Sequence, residues 1–282
     1  MDFVTVVEVG PRDGLQNEKL PIATEQKLQL IALLADCGFA RIEVTAFVSP
    51  RWVPQMADHD LVMRSAARRV GLRLSALVPN ERGAIAAIEA GAAELAVFTS
   101  ASETFSQRNV NCSIDESIER FRPVMDRARD AGLPVRGYVS CAIDCPFEGP
   151  VAPDAVAAVV ARLRAIGCAE IALSDTIGRA TPDRVERMTR FALEEVPAAM
   201  LAGHFHDTFG HALDNVDAAL DLGLRVFDSS IGGLGGCPYA PGAAGNLGTT
   251  ALVEHLAARR FRTGIDAAKL RAAEEFVATV RA

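Results

Sequence analysis

Along the chain of 282 residues, short β-rich apolar runs alternate with longer stretches of amphipathic or Ala/Leu-rich helical character. The runs are "VTVVEV", "RIEVT", "LRLSALV", "ELAVF", "VRGYVS", "EIALSD", "MLAGHFHD" and "RVFDSSI", and each is followed by a helical candidate such as "TEQKLQLIALLADCG". Gly38, Gly91, Gly132, Gly167 and Gly223 stand where helices should close, and Thr181-Pro182 reads as an N-cap followed by the first helical residue. About eight strand–helix units with no low-complexity linker predict an α/β fold, a single (β/α)8 TIM barrel spanning 1–282. The stretch "DAAKLRAAEEFVATV" follows the eighth unit as an extra C-terminal helix. A doubly wound sheet also alternates strand and helix, but more commonly with fewer strands and a glycine-rich phosphate loop after the first, where this chain has "GPRDGLQN".

Composition narrows the function classes. Half of the residues are hydrophobic and 23% are charged, which suits a large packed core and not a disordered chain. The net charge of −7, with arginines scattered along the chain, argues against nucleic acid as a partner. No apolar stretch is long and clean enough for a bilayer, and "MDFVTVVEV" enters a strand without a charged-then-apolar leader, so a cytoplasmic protein is expected. The six cysteines are scattered without a C-x-x-C pair and read as reduced thiols, mostly core filling.

Candidate chemistry gathers at strand ends. In "GHFHDTFGH", His204 and His206 are two apart on the seventh strand run and so face the same way, toward the mouth where barrel enzymes build their sites. Two imidazoles there form a natural pair of metal ligands; hydrogen-bonded core histidines are the alternative. The first strand ends in "EVGPRDG", where Arg12-Asp13 is either a surface ion pair or a third ligand beside a fixed cation able to hold an oxyanion. Flanking Gly10-Pro11 and Gly14 suggest a tight turn that fixes both side chains. The glycine-rich stretch from Gly232 to Asn246 matches neither phosphate-loop pattern and suits a lid, with the Asn246 amide oxygen as a fourth ligand and Cys237 as a loop thiol that is either reactive or idle. Glu43, inward on its strand, needs a charged partner such as Arg12, and Asp175 is either a site carboxylate or the cap of a short turn with Thr176. Arg136 and Tyr138 share a face, for packing, a salt bridge or substrate contact.

The stretches "VEVGPRDGLQNEK", "FVSPRWVPQMADH", "NVNCSIDESIERF", "RGYVSCA", "HFHDTFGHALDN" and "GLGGCPYAPGAAGNL" together resemble the 3-hydroxy-3-methylglutaryl-CoA lyases, metal-dependent barrels of the lyase and synthase type. The resemblance implies cleavage of 3-hydroxy-3-methylglutaryl-CoA to acetyl-CoA and acetoacetate in leucine degradation, with Mg²⁺ or Mn²⁺. It makes Asp13, His204, His206 and Asn246 the metal ligands and Arg12, Cys237, His204, Glu43 and Asp175 the catalytic group. Substrate contacts fall at Arg12, Gln16 and Tyr138, and a homo-oligomer, dimer or tetramer, is implied. The chain departs from the family's usual pattern at "LSDTIG", at Gly248 to Ala251 in place of an acidic pair, and at Phe205, Phe209 and His211. A lyase for a larger 3-hydroxy-3-alkylglutaryl-CoA such as isohexenylglutaryl-CoA, an acetyl-CoA-dependent condensing enzyme of the same superfamily, and a non-catalytic metal-stabilised barrel are the alternatives.

Overall fold

The computed structural model describes residues 2–69, 71–235 and 245–281. The strands are β1 (Thr5–Glu8), β2 (Arg41–Ala46), β3 (Arg73–Leu77), β4 (Glu94–Ser100), β5 (Val135–Ser140), the short β6 (Asp144–Cys145) and β7 (Gly149–Pro150), then β8 (Glu170–Asp175), β9 (Leu201–Phe205) and β10 (Val226–Ser229). All but β6 and β7 pair in parallel in the closed order β1-β10-β9-β8-β5-β4-β3-β2; β6 and β7 form a separate antiparallel pair. The seam is closed by β1 against β10, with Thr5 to Glu8 opposite Val226 to Ser229. Helices α1 (Thr24–Asp36), α2 (His59–Ala66), α3 (Glu81–Glu89), α4 (Glu103–Val110), α5 (Ile114–Asp130), α6 (Pro153–Ile166), α7 (Pro182–Glu195), α8 (Ala212–Asp221), α9 (Thr249–Ala258) and α10 (Ala267–Arg281) complete the fold. The eight-stranded barrel and the extra final helix match the sequence reading, while α4 and the β6–β7 hairpin are additions to it. No helix among the described residues is long and apolar enough to cross a membrane.

The helix punctuation works as the sequence suggests, with one change. The five closing glycines have φ between 68° and 108°, so each supplies the left-handed residue that ends a helix. α5 starts with a capping box, Ser113 Oγ accepting from the Glu116 N–H and the Glu116 carboxylate from the Ser113 N–H, and buries a stripe that includes Ile114, Ile118, Phe121 and Met125. At α7, however, the Thr181 hydroxyl donates to Asp183 Oδ1 at 2.5 Å instead of accepting from the backbone. Outward strand residues such as Ile42, Val44, Leu95, Val97, Ile171 and Leu173 are buried beneath the helices. Gly203 lies where a side chain would meet the rings of Phe205 and Phe227 at under 3 Å, so β9 has room for those rings only because it carries no side chain there.

The barrel interior departs from the branched aliphatic filling common in this architecture. Arg41, Glu43, Glu94, Arg136, Tyr138, His204 and Asp228 are buried and joined by polar contacts across it. At its N-terminal end, Arg41 Nη1 is 2.8 Å from Glu170 Oε2, Arg41 Nη2 is 3.0 Å from Glu94 Oε2 and Arg136 Nε is 2.8 Å from Glu170 Oε1.

Candidate active site

A cavity of about 1100 Å³ opens at the C-terminal end of the barrel and is lined by residues from the end of, or the loop after, each of the eight barrel strands. Arg12 and Asp13 reach it from a five-residue turn, Gly10–Gly14, in which the Val9 carbonyl accepts the N–H groups of Arg12, Asp13 and Gly14. This wide single turn is a local geometry often found at functional sites. Its flanking glycines serve close packing, since neither has a positive φ. A side chain at Gly10 would lie 2.6 Å from Glu8 Oε1, and one at Gly14 would lie 2.7 Å from both Leu234 Cβ and Ser230 Oγ. Burial pushes Glu8 up to about 7, even though it accepts from Thr249 and from the Ile231 and Gly10 N–H groups.

Arg12 is 5% exposed, so its pairing is not the surface contact that the alternative reading allowed. Its Nε donates to Glu43 and its Nη1 to Asp13 Oδ1 at 2.6 Å. Burial works against the guanidinium charge, and Glu43 and Asp13 outweigh it, so Arg12 stays a cation. The other oxygen of Glu43 accepts from the Tyr138 hydroxyl at 3.1 Å, and that hydroxyl in turn accepts from Arg136 Nη1 at 3.1 Å. Gln16 and Tyr138 line the cavity beside Arg12.

Asp13, His204 and His206 bring one ligand atom each to within 4.8 Å of one another. Burial opposes ionisation of Asp13, but Arg12 and the two histidines hold its carboxyl well below the usual range. His204 Nε2 lies 3.9 Å from Asp13 Oδ2, and its Nδ1 meets Asp228 Oδ2 at 3.0 Å. Desolvation, with His204 adjacent, lowers His206 to about 4, so the ring is neutral at pH 7. Asn246 arrives from the far side of the chain: it bridges His206 in antiparallel fashion, and its Nδ2 donates to Asp13 Oδ2 at 2.7 Å and to the Leu234 carbonyl at 3.0 Å.

The residue pattern and this geometry have counterparts. Residues 4–277 match the family model described as HMGL-like. The chain is 54% identical over 266 residues to the hydroxymethylglutaryl-CoA lyase of Pseudomonas mevalonii, covering 94% of this chain and 88% of that one. The chain belongs to the hydroxymethylglutaryl-CoA lyase family. The crystal structure of the HMG-CoA lyase from Brucella melitensis superposes with a TM-score of 0.98 at 55% identity, over 100% of this chain and 99% of that one. An HMG-CoA lyase from Acinetobacter baumannii, in complex with coenzyme A and 3-methylmalate, gives 0.94 at 36% identity over 99% and 92% of the two chains.

As a donor set for a divalent cation, these residues fit. A carboxylate held ionised and two imidazoles converge, and His206 Nδ1 is buried with no hydrogen-bond partner among the described residues, a state that a ligand at that nitrogen would relieve. Two residues that the resemblance put in the catalytic group lie behind the cavity wall, Glu43 in the partnership with Arg12 expected of it and Asp175 at the turn cap that was its alternative. Asp175 is not on the cavity wall; its two oxygens accept the Arg179 and Ala180 N–H groups at 3.1 and 2.9 Å, the turn-cap arrangement, and burial pushes it up to about 6. Glu43 sits beneath Arg12 and is not on the cavity wall. Cys237 falls in 236–244, outside the described residues; the other five cysteines are free and buried. Asp228 was missed by the sequence reading, although its signal was present: an acid in the apolar strand run "RVFDSSI", where burial demands a partner.

Proposed function

We propose that the chain cleaves 3-hydroxy-3-methylglutaryl-CoA to acetyl-CoA and acetoacetate, with Mg²⁺ or Mn²⁺ held by Asp13, His204, His206 and Asn246. The observation that carries the metal part of this reading is the convergence of one ligand atom each from Asp13, His204 and His206 within 4.8 Å of one another. A bound divalent ion would polarise substrate oxygens and acidify the 3-hydroxyl. In the reaction the 3-hydroxyl passes its proton to solvent, C3 becomes the ketone of acetoacetate, and the C2–C3 electron pair passes into the thioester as an enolate. C2 then takes a proton to give acetyl-CoA.

Arg12 stabilises the enolate oxygen in this reading. Glu43 and Asp13 occupy its Nε and Nη1, which leaves Nη2 without a protein partner among the described residues at the cavity wall. Tyr138 orients Glu43 and so fixes Arg12. His204 supplies its Nε2 lone pair either as a ligand or as a base, and with Nδ1 engaged by Asp228 it cannot do both at once; it serves as a ligand. Cys237 keeps the role of carbanion proton donor that the resemblance implies. The cavity suits an acyl-CoA, in line with the coenzyme A complex of the Acinetobacter relative. A place in leucine degradation, a cytoplasmic location and a dimeric or tetrameric assembly belong to the same proposal.

The test is acetyl-CoA release from 3-hydroxy-3-methylglutaryl-CoA and from analogues with longer 3-alkyl groups, with Mg²⁺ or Mn²⁺ and after chelation. The methyl substrate should show the highest kcat/KM, and chelation should abolish turnover until metal is restored. Turnover that survives complete metal removal, or preference for a larger acyl group, would refute the corresponding part.

A further inference from the structure

His204 can ligate through Nε2 only if that nitrogen carries a lone pair, and a neutral imidazole can place its single proton on either nitrogen. The Nδ1 edge faces Asp228 Oδ2 at 3.0 Å. An ionised carboxylate accepts and never donates, so this contact holds the ring as Nδ1–H and leaves Nε2 bare on the side of Asp13. Asp228 is an anion because a buried guanidinium, that of Arg136, pairs with its other oxygen at 2.7 Å.

Arg136 settles which Asp228 oxygen does this. It is 1% exposed and donates from Nη2 to Asp228 Oδ1 at 2.7 Å and from Nη1 to the Tyr138 hydroxyl at 3.1 Å. A guanidinium has donors only, so whatever stands at position 228 must turn an acceptor toward it. The geometry points to Asp228 as a positioning residue, oriented by Arg136, that fixes His204 in the tautomer presenting a free Nε2 to a divalent cation. This role rests on the metal-dependent reading of the site and goes beyond it, since Asp228 is not on the cavity wall.

The arrangement makes a distinctive prediction for Asp228→Asn. Arg136 claims the amide oxygen, the NH₂ group then faces His204 Nδ1, and the ring is driven to the Nε2–H tautomer that cannot ligate. Asp228→Ser removes more of the side chain, but its hydroxyl can accept from Nδ1–H. Calorimetric titration of the metal-free protein with Mn²⁺ should therefore show affinity reduced about 10- to 100-fold in Asp228→Asn, and reduced less in Asp228→Ser. A purely structural role predicts the reverse order, because Asn is the closer fit to Asp. Wild-type affinity in Asp228→Asn, or equal or weaker binding by Asp228→Ser, overturns the assignment; should the Ser variant not fold, Asn against wild type decides. Absence of Mn²⁺ binding by the wild-type protein would remove the metal reading itself, whereas normal wild-type binding with an unaffected Asn variant would remove only the role of Asp228.

Discussion

The two ends of the barrel interior both hold buried charges, but they are balanced differently. At the N-terminal floor, Arg41 and Arg136 face Glu94 and Glu170, so cations and anions match there, and Arg136 also reaches up to Asp228 behind His204. At the C-terminal mouth, Arg12 alone faces both Glu43 and Asp13, while His206 is held neutral. Among the described residues the mouth is therefore short of positive charge, and it carries a buried ring nitrogen with no partner there. A matched buried cluster closes on itself and acts as scaffold. An unmatched one, beside a cavity, is prepared for a cation from outside.

This contrast can be broken most forcefully at Arg12. Arg12→Gln should lower kcat by about 100- to 1000-fold, the size of a lost oxyanion donor, without weakening Mn²⁺ binding; wild-type kcat would remove Arg12 from the chemistry. At the floor, Glu170→Gln leaves Arg41 with Glu94 and Arg136 with Asp228. It should cost about 2 kcal/mol of stability, below the full penalty for a broken buried pair because Glu170 is partly exposed. In that variant kcat per folded molecule should stay near wild type in denaturation and steady-state assays, and a large kcat loss at unchanged stability would mean that the floor is more than scaffold.

The remaining test concerns acid. His206 has its folded pKa lowered to about 4, below the ordinary histidine value of 6.5, so between those values the unfolded chain binds the proton and the native state does not. The metal-free protein should lose stability as pH falls from about 6.5 through about 4. His206→Gln should flatten that slope in melting curves, and an unchanged slope would assign the acid sensitivity to other groups.

The barrel was legible because its signals are local: alternation within a strand, glycine at a helix stop, and Thr181-Pro182 at a helix start. His204, His206 and Asp13 were legible for a related reason, since alternation and strand order already place them at one mouth. What escaped depends on contacts remote in sequence. The Asp228 carboxylate acquires meaning only through Arg136, from a strand across the barrel. Asp175 shows the opposite limit, where a carboxylate in a site-like motif can be taken up by the backbone of its own turn. The α4 helix and the two-residue strands β6 and β7 were too short to stand out from the loops around them.

The Gly10–Gly14 turn has a consequence for hydrogen exchange. Segments that carry reactive groups are commonly among the first parts of a protein to open. Here the amides of Arg12, Asp13 and Gly14 all point at the Val9 carbonyl, that of Leu15 points at Gly10, and Arg12, Gly14 and Leu15 are buried. Packing against Ser230 and Leu234 leaves the turn no room to swing out alone. Its amides should exchange with deuterium as slowly as those of the barrel strands, on the timescale of global opening, which puts Arg12 and Asp13 in the slowest-exchanging part of the fold.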